Sequence, residues 1–307
     1  MSEPVQNNSE FIIGPWRKGI NRTGPEVRAI LESRGKTVTS RPTSTVGSIH
    51  ETDIARKIGM RGGVVAGVIH LDLFPPLMLK AFGPKWFETG SLSMFYTYAT
   101  LHGEELRAIV QKPPKESGEV QVEARLELKK ECRLVAKGTA SIGNPKEKSY
   151  LGAMEIKSSP KEERRIFKDL EPGYESPSRE VLFSSSELKE GAEFWEDSIE
   201  WNLGRSPWGA PIVPPCTTFS KMRIDLPFLP QGVGFYGATE LRYAKGPVMA
   251  EVPYETRGKI VAVGVTSKTE YYWFDSWLVE KKGGALIAQI RHMTRSMKAG
   301  SPLYPEL

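Results

Sequence analysis

The chain states one pattern twice, and this limits its architecture more than any other feature. Met60-Arg-Gly-Gly-Val-Val-Ala-Gly-Val68 returns in outline as Pro207-Trp-Gly-Ala-Pro-Ile-Val-Pro-Pro215, which places Gly62 on Gly209 at an offset of 147. Lys129-Lys-Glu-Cys-Arg-Leu-Val-Ala136 returns as Lys281-Lys-Gly-Gly-Ala-Leu-Ile-Ala288 at an offset of 152. Two unrelated patterns that recur in one order at nearly one spacing indicate a duplicated unit of about 150 residues. Both halves must then build the same kind of domain, and 307 residues leave room for two cores of ordinary size.

Composition excludes several classes. The hydrophobic fraction of 39% and charged fraction of 26% are those of a globular protein in water. The longest apolar stretch, Val64 to Leu79, is broken by His70, Asp72 and Pro75-Pro76, so no membrane span is expected. The N-terminal run Met-Ser-Glu-Pro-Val-Gln-Asn-Asn lacks a basic segment followed by an apolar core, which argues for a cytoplasmic protein. Cys132 and Cys216 are too few for a disulfide framework or a four-ligand zinc site and read as free thiols. A net charge of +5 permits an anionic partner, but the lysines and arginines are scattered. Nucleic acid is therefore not expected, and phosphates on a small ligand fit equally well.

In the first half, Ile54 and Ile58 are four apart with Ala55 beside them, which predicts a short helix ended by Gly59. Val64 to Phe82 is apolar nearly all round and predicts a buried helix, kinked or divided at Pro75-Pro76. Ala108–Val110, Val120–Leu128 and Leu134–Ile142 alternate with period two, so one face of an antiparallel sheet is wet and the other covered. Residues 151–180 read as the connection between an N-terminal unit, 1–150, and a C-terminal unit, 181–307. The second half repeats the order, with a polar helical stretch near Phe194–Leu203 and a helix from about Pro215 to Arg223. Strands are predicted at Phe235–Tyr243, Val248–Tyr254, Lys259–Val279 (bent or double) and Ala285–Arg295.

The run His50-Glu-Thr-Asp-Ile-Ala-Arg-Lys-Ile-Gly-Met-Arg-Gly-Gly-Val-Val-Ala-Gly67 resembles the hydratase motif of the MaoC-like family, which includes the R-specific enoyl-CoA hydratases. That motif reads approximately Asp-x-Asn-Pro-x-His, a short Ala-bearing helix ending in Gly-Phe, then Gly-x-Ile-Ala-His-Gly. Arg205-Ser-Pro-Trp-Gly-Ala-Pro-Ile-Val-Pro-Pro215 is similar to the family's variant Ser-x-Trp-Gly-Gly-Ile-Ile-Ala-Pro-Pro. The resemblance implies an α+β tandem (double) hotdog, two antiparallel sheets each wrapped around a central apolar helix. It implies an acyl thioester of CoA or acyl carrier protein as substrate, with no separate cofactor or metal, and syn addition or removal of water. Such proteins commonly pair, so a homodimer is expected.

Hydration of a conjugated thioester needs a base for water, an acid for the alpha carbon and donors for the enolate oxygen. The resemblance puts His50 on the motif histidine, with an acid–base role or that of a polar loop residue. Gly67 and Val68 fall where backbone N–H groups hold the thioester oxygen at the helix start. The family's aspartate, however, falls on Thr45, and its Asn-Pro on Gly47-Ser48. Glu51 or Asp53 could supply the missing carboxylate, although Asp53 equally suits a helix cap. His70, on the buried helix, is either a hydrogen-bonded core histidine or a ligand contact. Asp72 would be costly unpaired and must reach a partner, a pocket or the surface. In the second half, Trp195-Glu-Asp197 and Glu200-Trp-Asn202 stand near the motif with no histidine, so this half is expected to shape the acyl pocket. Trp86, Phe87, Phe95, Tyr96 and Tyr98 either line that pocket or fill the sheet core. A thioesterase or other lyase in the same pocket, and a non-catalytic binding protein, are the alternatives to a hydratase or dehydratase.

Overall fold

The computed structural model describes residues 5–8, 10–35, 43–114 and 118–306; residues 1–4 of the N-terminal run read for a signal lie outside them. Strands β1 (Gln6–Asn7), β2 (Phe11–Ile13), β3 (Arg17–Lys18), β4 (Gly90–Tyr96), β5 (Glu105–Gln111), β6 (Val120–Leu128) and β7 (Arg133–Ile142) belong to the first half. The second half contributes β8 (Glu175–Leu182), β9 (Gly234–Tyr243), β10 (Pro253–Val265), β11 (Thr269–Glu280) and β12 (Leu286–Met297). The helices are α1 (Pro25–Ser33), α2 (Thr52–Lys57), α3 (Pro75–Phe82), α4 (Trp86–Thr89), α5 (Ser185–Gly191) and α6 (Pro215–Met222).

The strands form one continuous sheet in the order β1-β2-β5-β6-β7-β4-β9-β12-β11-β10-β8, with β3 beside β5. The succession β2-β5-β6-β7-β4 is mirrored as β8-β10-β11-β12-β9. The halves meet at β4 and β9, antiparallel, with Leu92 opposite Leu241 and Met94 opposite Thr239. This is the tandem hotdog expected from the sequence. The duplication extends to details: a lone bridge joins Val64 to Leu101 and another joins Ile212 to Met249. The register slips at Leu126/Glu127 in one hairpin and at Leu278/Val279 in the other.

Alternation in β6 is realised as predicted: Val122, Ala124, Leu126 and Leu128 are buried while Glu123 is exposed. Those side chains cover Leu71, Phe74, Leu77 and Met78, all at most 2% exposed, on the central helical segment. That segment is not one kinked helix. Val64–Ala66 are extended, Gly67–Leu73 form a 3-10 helix, and α3 begins at Pro75. A proline ring clashes with the carbonyl four residues back, and proline suits a first helical turn, so the rod divides at Phe74. Gly59, at φ 85°, ends α2 as expected.

Residues 151–180 lie against the second half. Leu151, Ile166, Phe167 and Leu170 are buried, and the Glu270 carboxylate accepts the N–H groups of Arg165, Ile166 and Phe167. The connection also ends early, because β8 starts at Glu175 and pairs with β10. The polar stretch Phe194–Leu203, expected to be helical, holds only short 3-10 turns at Ala192–Phe194 and Glu200–Asn202. The α-helix precedes it as α5, fixed by a Ser184–Glu187 capping box. The strand predicted at Val248–Tyr254 starts only at Pro253, because Val248 and Met249 are engaged by Val213 and Ile212 of the helix entry. Lys259–Val279 resolves into β10 and β11.

Candidate functional site

A cavity of about 1000 Å³ opens between the halves. The 48–51 loop, the start of the 67–73 helix and β4 line it from the first half; the end of α6, the 224–230 loop and β9 line it from the second. Of the residues predicted for the site, His50, Glu51, Gly67, Val68 and His70 line it, and Asp53 does not.

His50 is held from two sides. Its ring Nδ1 lies 2.7 Å from the Val64 carbonyl oxygen, an acceptor only, so Nδ1 carries the proton and donates. The unprotonated Nε2 is left without a hydrogen bond among the described residues. Asn21 Nδ2 donates to the His50 carbonyl at 3.0 Å, and a side chain at Gly63 would begin 2.5 Å from the same oxygen. Burial, helped by the charge of Arg223, pulls the imidazole below its ordinary range and so keeps it neutral, while the bond to Val64 opposes this. The result is a fixed imidazole with a basic nitrogen beside a cavity.

Gly67 opens the 3-10 helix. The N–H groups of Gly67 and Val68 make no hydrogen bond to any described residue, whereas Ile69 N–H already bonds to Ala66. Glycine is required here by close approach: a Cβ would stand 2.8 Å from the Tyr96 ring. Tyr96 itself lines the cavity and its hydroxyl is buried without a satisfactory partner.

His70 and Asp72, both 1% exposed, serve a different end. His70 Nδ1 lies 2.7 Å from Glu196 Oε2, and Nε2 lies 2.6 Å from Thr100 Oγ1. Both ring nitrogens are thus committed, and the histidine bolts the first half to Glu196 of the second. The second Glu196 oxygen accepts Ile20 N–H at 3.0 Å. Asp72 takes 2.8 Å and 2.9 Å bonds from Arg22 Nη2 and the Cys216 N–H. Burial raises the Asp72 carboxyl and Arg22 opposes this; burial also pushes the Cys216 thiol up to about 12, so it is no nucleophile near neutrality. Sequence spacing could not show Arg22 or Glu196 as partners, since they come from segments 50 and 126 residues away from Asp72 and His70.

The remaining candidates are dispersed. Thr45 is exposed, and its N–H bonds the Pro230 carbonyl at 3.1 Å. Glu51 is exposed at the cavity wall and occupies the N-cap position of α2 without a side-chain cap. Asp53 is exposed in the first turn of α2 and caps nothing. Asp197 pairs with Arg17 at 3.3 Å, and Glu200 is exposed; neither lines the cavity. Among the aromatics, Trp86 and Phe87 are core, Phe95 packs near Tyr150, and Tyr96 and Tyr98 face the cavity. Two residues of the second half were not foreseen. Arg223, just past α6, lines the cavity, and His292 is fully buried against Phe219, Tyr236 and Phe274.

The arrangement of sheet and helices is shared with solved structures. A protein described as a MaoC-domain dehydratase from Chloroflexus aurantiacus matches with TM-score 0.58 at 9% identity, covering 96% of this chain and 95% of that one. A double-hotdog protein of Mycobacterium tuberculosis matches with TM-score 0.57 at 12% identity over 96% and 98%. A further MaoC-like dehydratase gives 0.50 at 13% over 93% and 97%. At these identities the likeness establishes the double hotdog fold. At the level of sequence, no family model and no curated protein matches the chain.

Proposed function

We propose that the chain is a MaoC-like hydratase or dehydratase of acyl thioesters, with one site in its first half. One observation carries this reading: a histidine with a fixed tautomer and the two unpaired N–H groups of Gly67 and Val68 line the same cavity. In the hydration direction, His50 Nε2 takes a proton from water as its oxygen bonds to the beta carbon. Electron density moves through the double bond to the thioester oxygen, where the Gly67 and Val68 N–H groups stabilise it. The imidazolium returns the proton to the alpha carbon, so one water is added and His50 is restored. Dehydration runs the same steps backwards. Thr45 cannot act as a carboxylate base, and this cycle does not need one. Arg28 on the cavity wall suits the phosphates of a CoA carrier.

The test is incubation with trans-but-2-enoyl-CoA, following loss of the conjugated double bond and release of free thiol separately. Loss of the double bond with the thioester intact supports a hydratase. Thiol release would indicate a thioesterase, and no change in either would indicate a binding protein.

A further inference from the structure

The bolt between the halves is also built as a nucleophile with its base. Glu196, His70 and Thr100 stand in series, with 2.7 Å from Glu196 Oε2 to His70 Nδ1 and 2.6 Å from His70 Nε2 to Thr100 Oγ1. A carboxylate only accepts, so Nδ1 carries the proton and Nε2 turns its lone pair to the Thr100 hydroxyl, which donates. Both ends of the series are fixed. The other Glu196 oxygen accepts Ile20 N–H at 3.0 Å, and the Thr100 carbonyl accepts Val65 N–H at 2.8 Å. Hydroxyl, imidazole and orienting carboxylate in this order are the parts of a nucleophilic triad, which is recognised by geometry and not by order in the chain.

Thr100 and His70 line the cavity, while the Glu196 side chain is fully buried and outside its wall. His70 follows Gly67 by three residues, and residues three apart lie in line along a 3-10 helix. The unpaired N–H groups of Gly67 and Val68 therefore open on the edge that carries the base. A clamp alone needs no hydroxyl on the outer nitrogen, and the second half does without the whole device. Thr218 stands three places after Pro215 as His70 does after Gly67, and Val248 receives the Val213 N–H as Thr100 receives that of Val65. We infer that the cavity holds a second activity, hydrolysis of carboxylic esters, with Thr100 as nucleophile, His70 as base and Glu196 as the partner that orients it. Thr100 Oγ1 bonds to the ester carbonyl carbon as its proton passes to His70 Nε2. The Gly67 and Val68 N–H groups meet the oxygen that becomes charged. The bond from that carbon to the alcohol oxygen breaks, and His70 gives the departing alcohol its proton. Water then loses a proton to His70 and adds to the acyl-threonine carbon. Thr100 leaves, takes the proton back, and the free acid is released.

The experiment follows release of p-nitrophenol from p-nitrophenyl butyrate by the full chain. This probe has neither a conjugated double bond nor CoA, so its result and that of the hydration assay are read separately. Wild type should release p-nitrophenol with saturation kinetics. Thr100→Val, which exchanges the hydroxyl for a methyl group, should lower kcat/KM by about a hundredfold or more, and Thr100→Ser should retain activity. Valine already fills the corresponding place in the second half, and melting curves check that both variants fold. Diethyl p-nitrophenyl phosphate, which phosphorylates activated hydroxyls, should inactivate wild type and leave its label on the peptide that carries Thr100. No release beyond that of buffer, equal release from Thr100→Val, or a label on another residue would overturn the inference. Ester cleavage without water addition to the enoyl thioester keeps the triad and removes the hydratase; water addition without ester cleavage does the reverse.

Discussion

The two halves enter their central helices by the same path and end it differently. Val65 N–H bonds the Thr100 carbonyl in the first half as Val213 N–H bonds the Val248 carbonyl in the second. Val64 N–H bonds the Ile49 carbonyl as Ile212 N–H bonds that of Trp201. His50 Nδ1 donates to the Val64 carbonyl, and Asn202 Nδ2 donates to the Ile212 carbonyl at 3.0 Å. Asn202 therefore stands where His50 stands and does its structural task without its basic nitrogen. One step on, Pro215 replaces Gly67 and has no N–H, and the next N–H, of Cys216, is taken by Asp72. The first half leaves two donors facing a cavity; the second uses or removes the corresponding two. Duplication preserved the scaffold, and under the proposed function a few substitutions would confine the chemistry to one side.

The largest expected effect comes from making the first half like the second. His50→Asn should keep the bond to Val64, and therefore the fold, while lowering hydration by about a hundredfold to ten-thousandfold. The reverse change, Asn202→His, should create no second site, because Pro215 offers no donor. Kinetics of both variants with unchanged melting curves check the pair. Next in size is the seal of the second half. Arg22→Met leaves the Asp72 carboxylate buried and unpaired, at a cost of about 3–5 kcal/mol in chemical denaturation. Adding Asp72→Asn should recover part of that loss.

Gly67→Ala would press a methyl group on the Tyr96 ring and should cost about 1–3 kcal/mol. In a Tyr96→Ala background the same change should cost little, which denaturation of the double variant would show. Smaller still is an acid sensitivity from the second half. Burial and the charge of Arg223 hold His292 well below its ordinary 6.5, and its Nε2 has no partner. As pH falls through 6.5 the unfolded chain binds a proton that the folded chain refuses, so stability is unaffected above 6.5 and falls below it. Its contribution should reach about 1 kcal/mol by about pH 5.5 and vanish in His292→Gln. Smallest is Asp53→Asn: since Asp53 lies outside the cavity, hydration rates should match wild type within about twofold.

Much of this was legible in the sequence where the signal was local. Period-two alternation marked β6 over its full length, Gly59 marked the end of α2, and the motif spacing picked out His50 and Gly67, both of which line the cavity. The central rod was harder, since an all-round apolar stretch does not say whether it winds as 3-10 or α-helix. The pairings of Glu196 with His70 and of Arg22 with Asp72 could not be foreseen because they join segments far apart in the chain. Asn202 lies in the Glu200-Trp-Asn202 run noted beside the second motif, but its place opposite His50 emerges only when both helix entries are compared bond by bond.

The most direct test of a one-sided site is a crystal structure with a non-hydrolysable acyl-CoA analogue. The thioester oxygen should lie about 3 Å from the Gly67 and Val68 nitrogens, with the beta carbon facing His50 Nε2. A thioester seated at the Pro215 end of the cavity, or a His50 ring turned away from the ligand, would contradict the account.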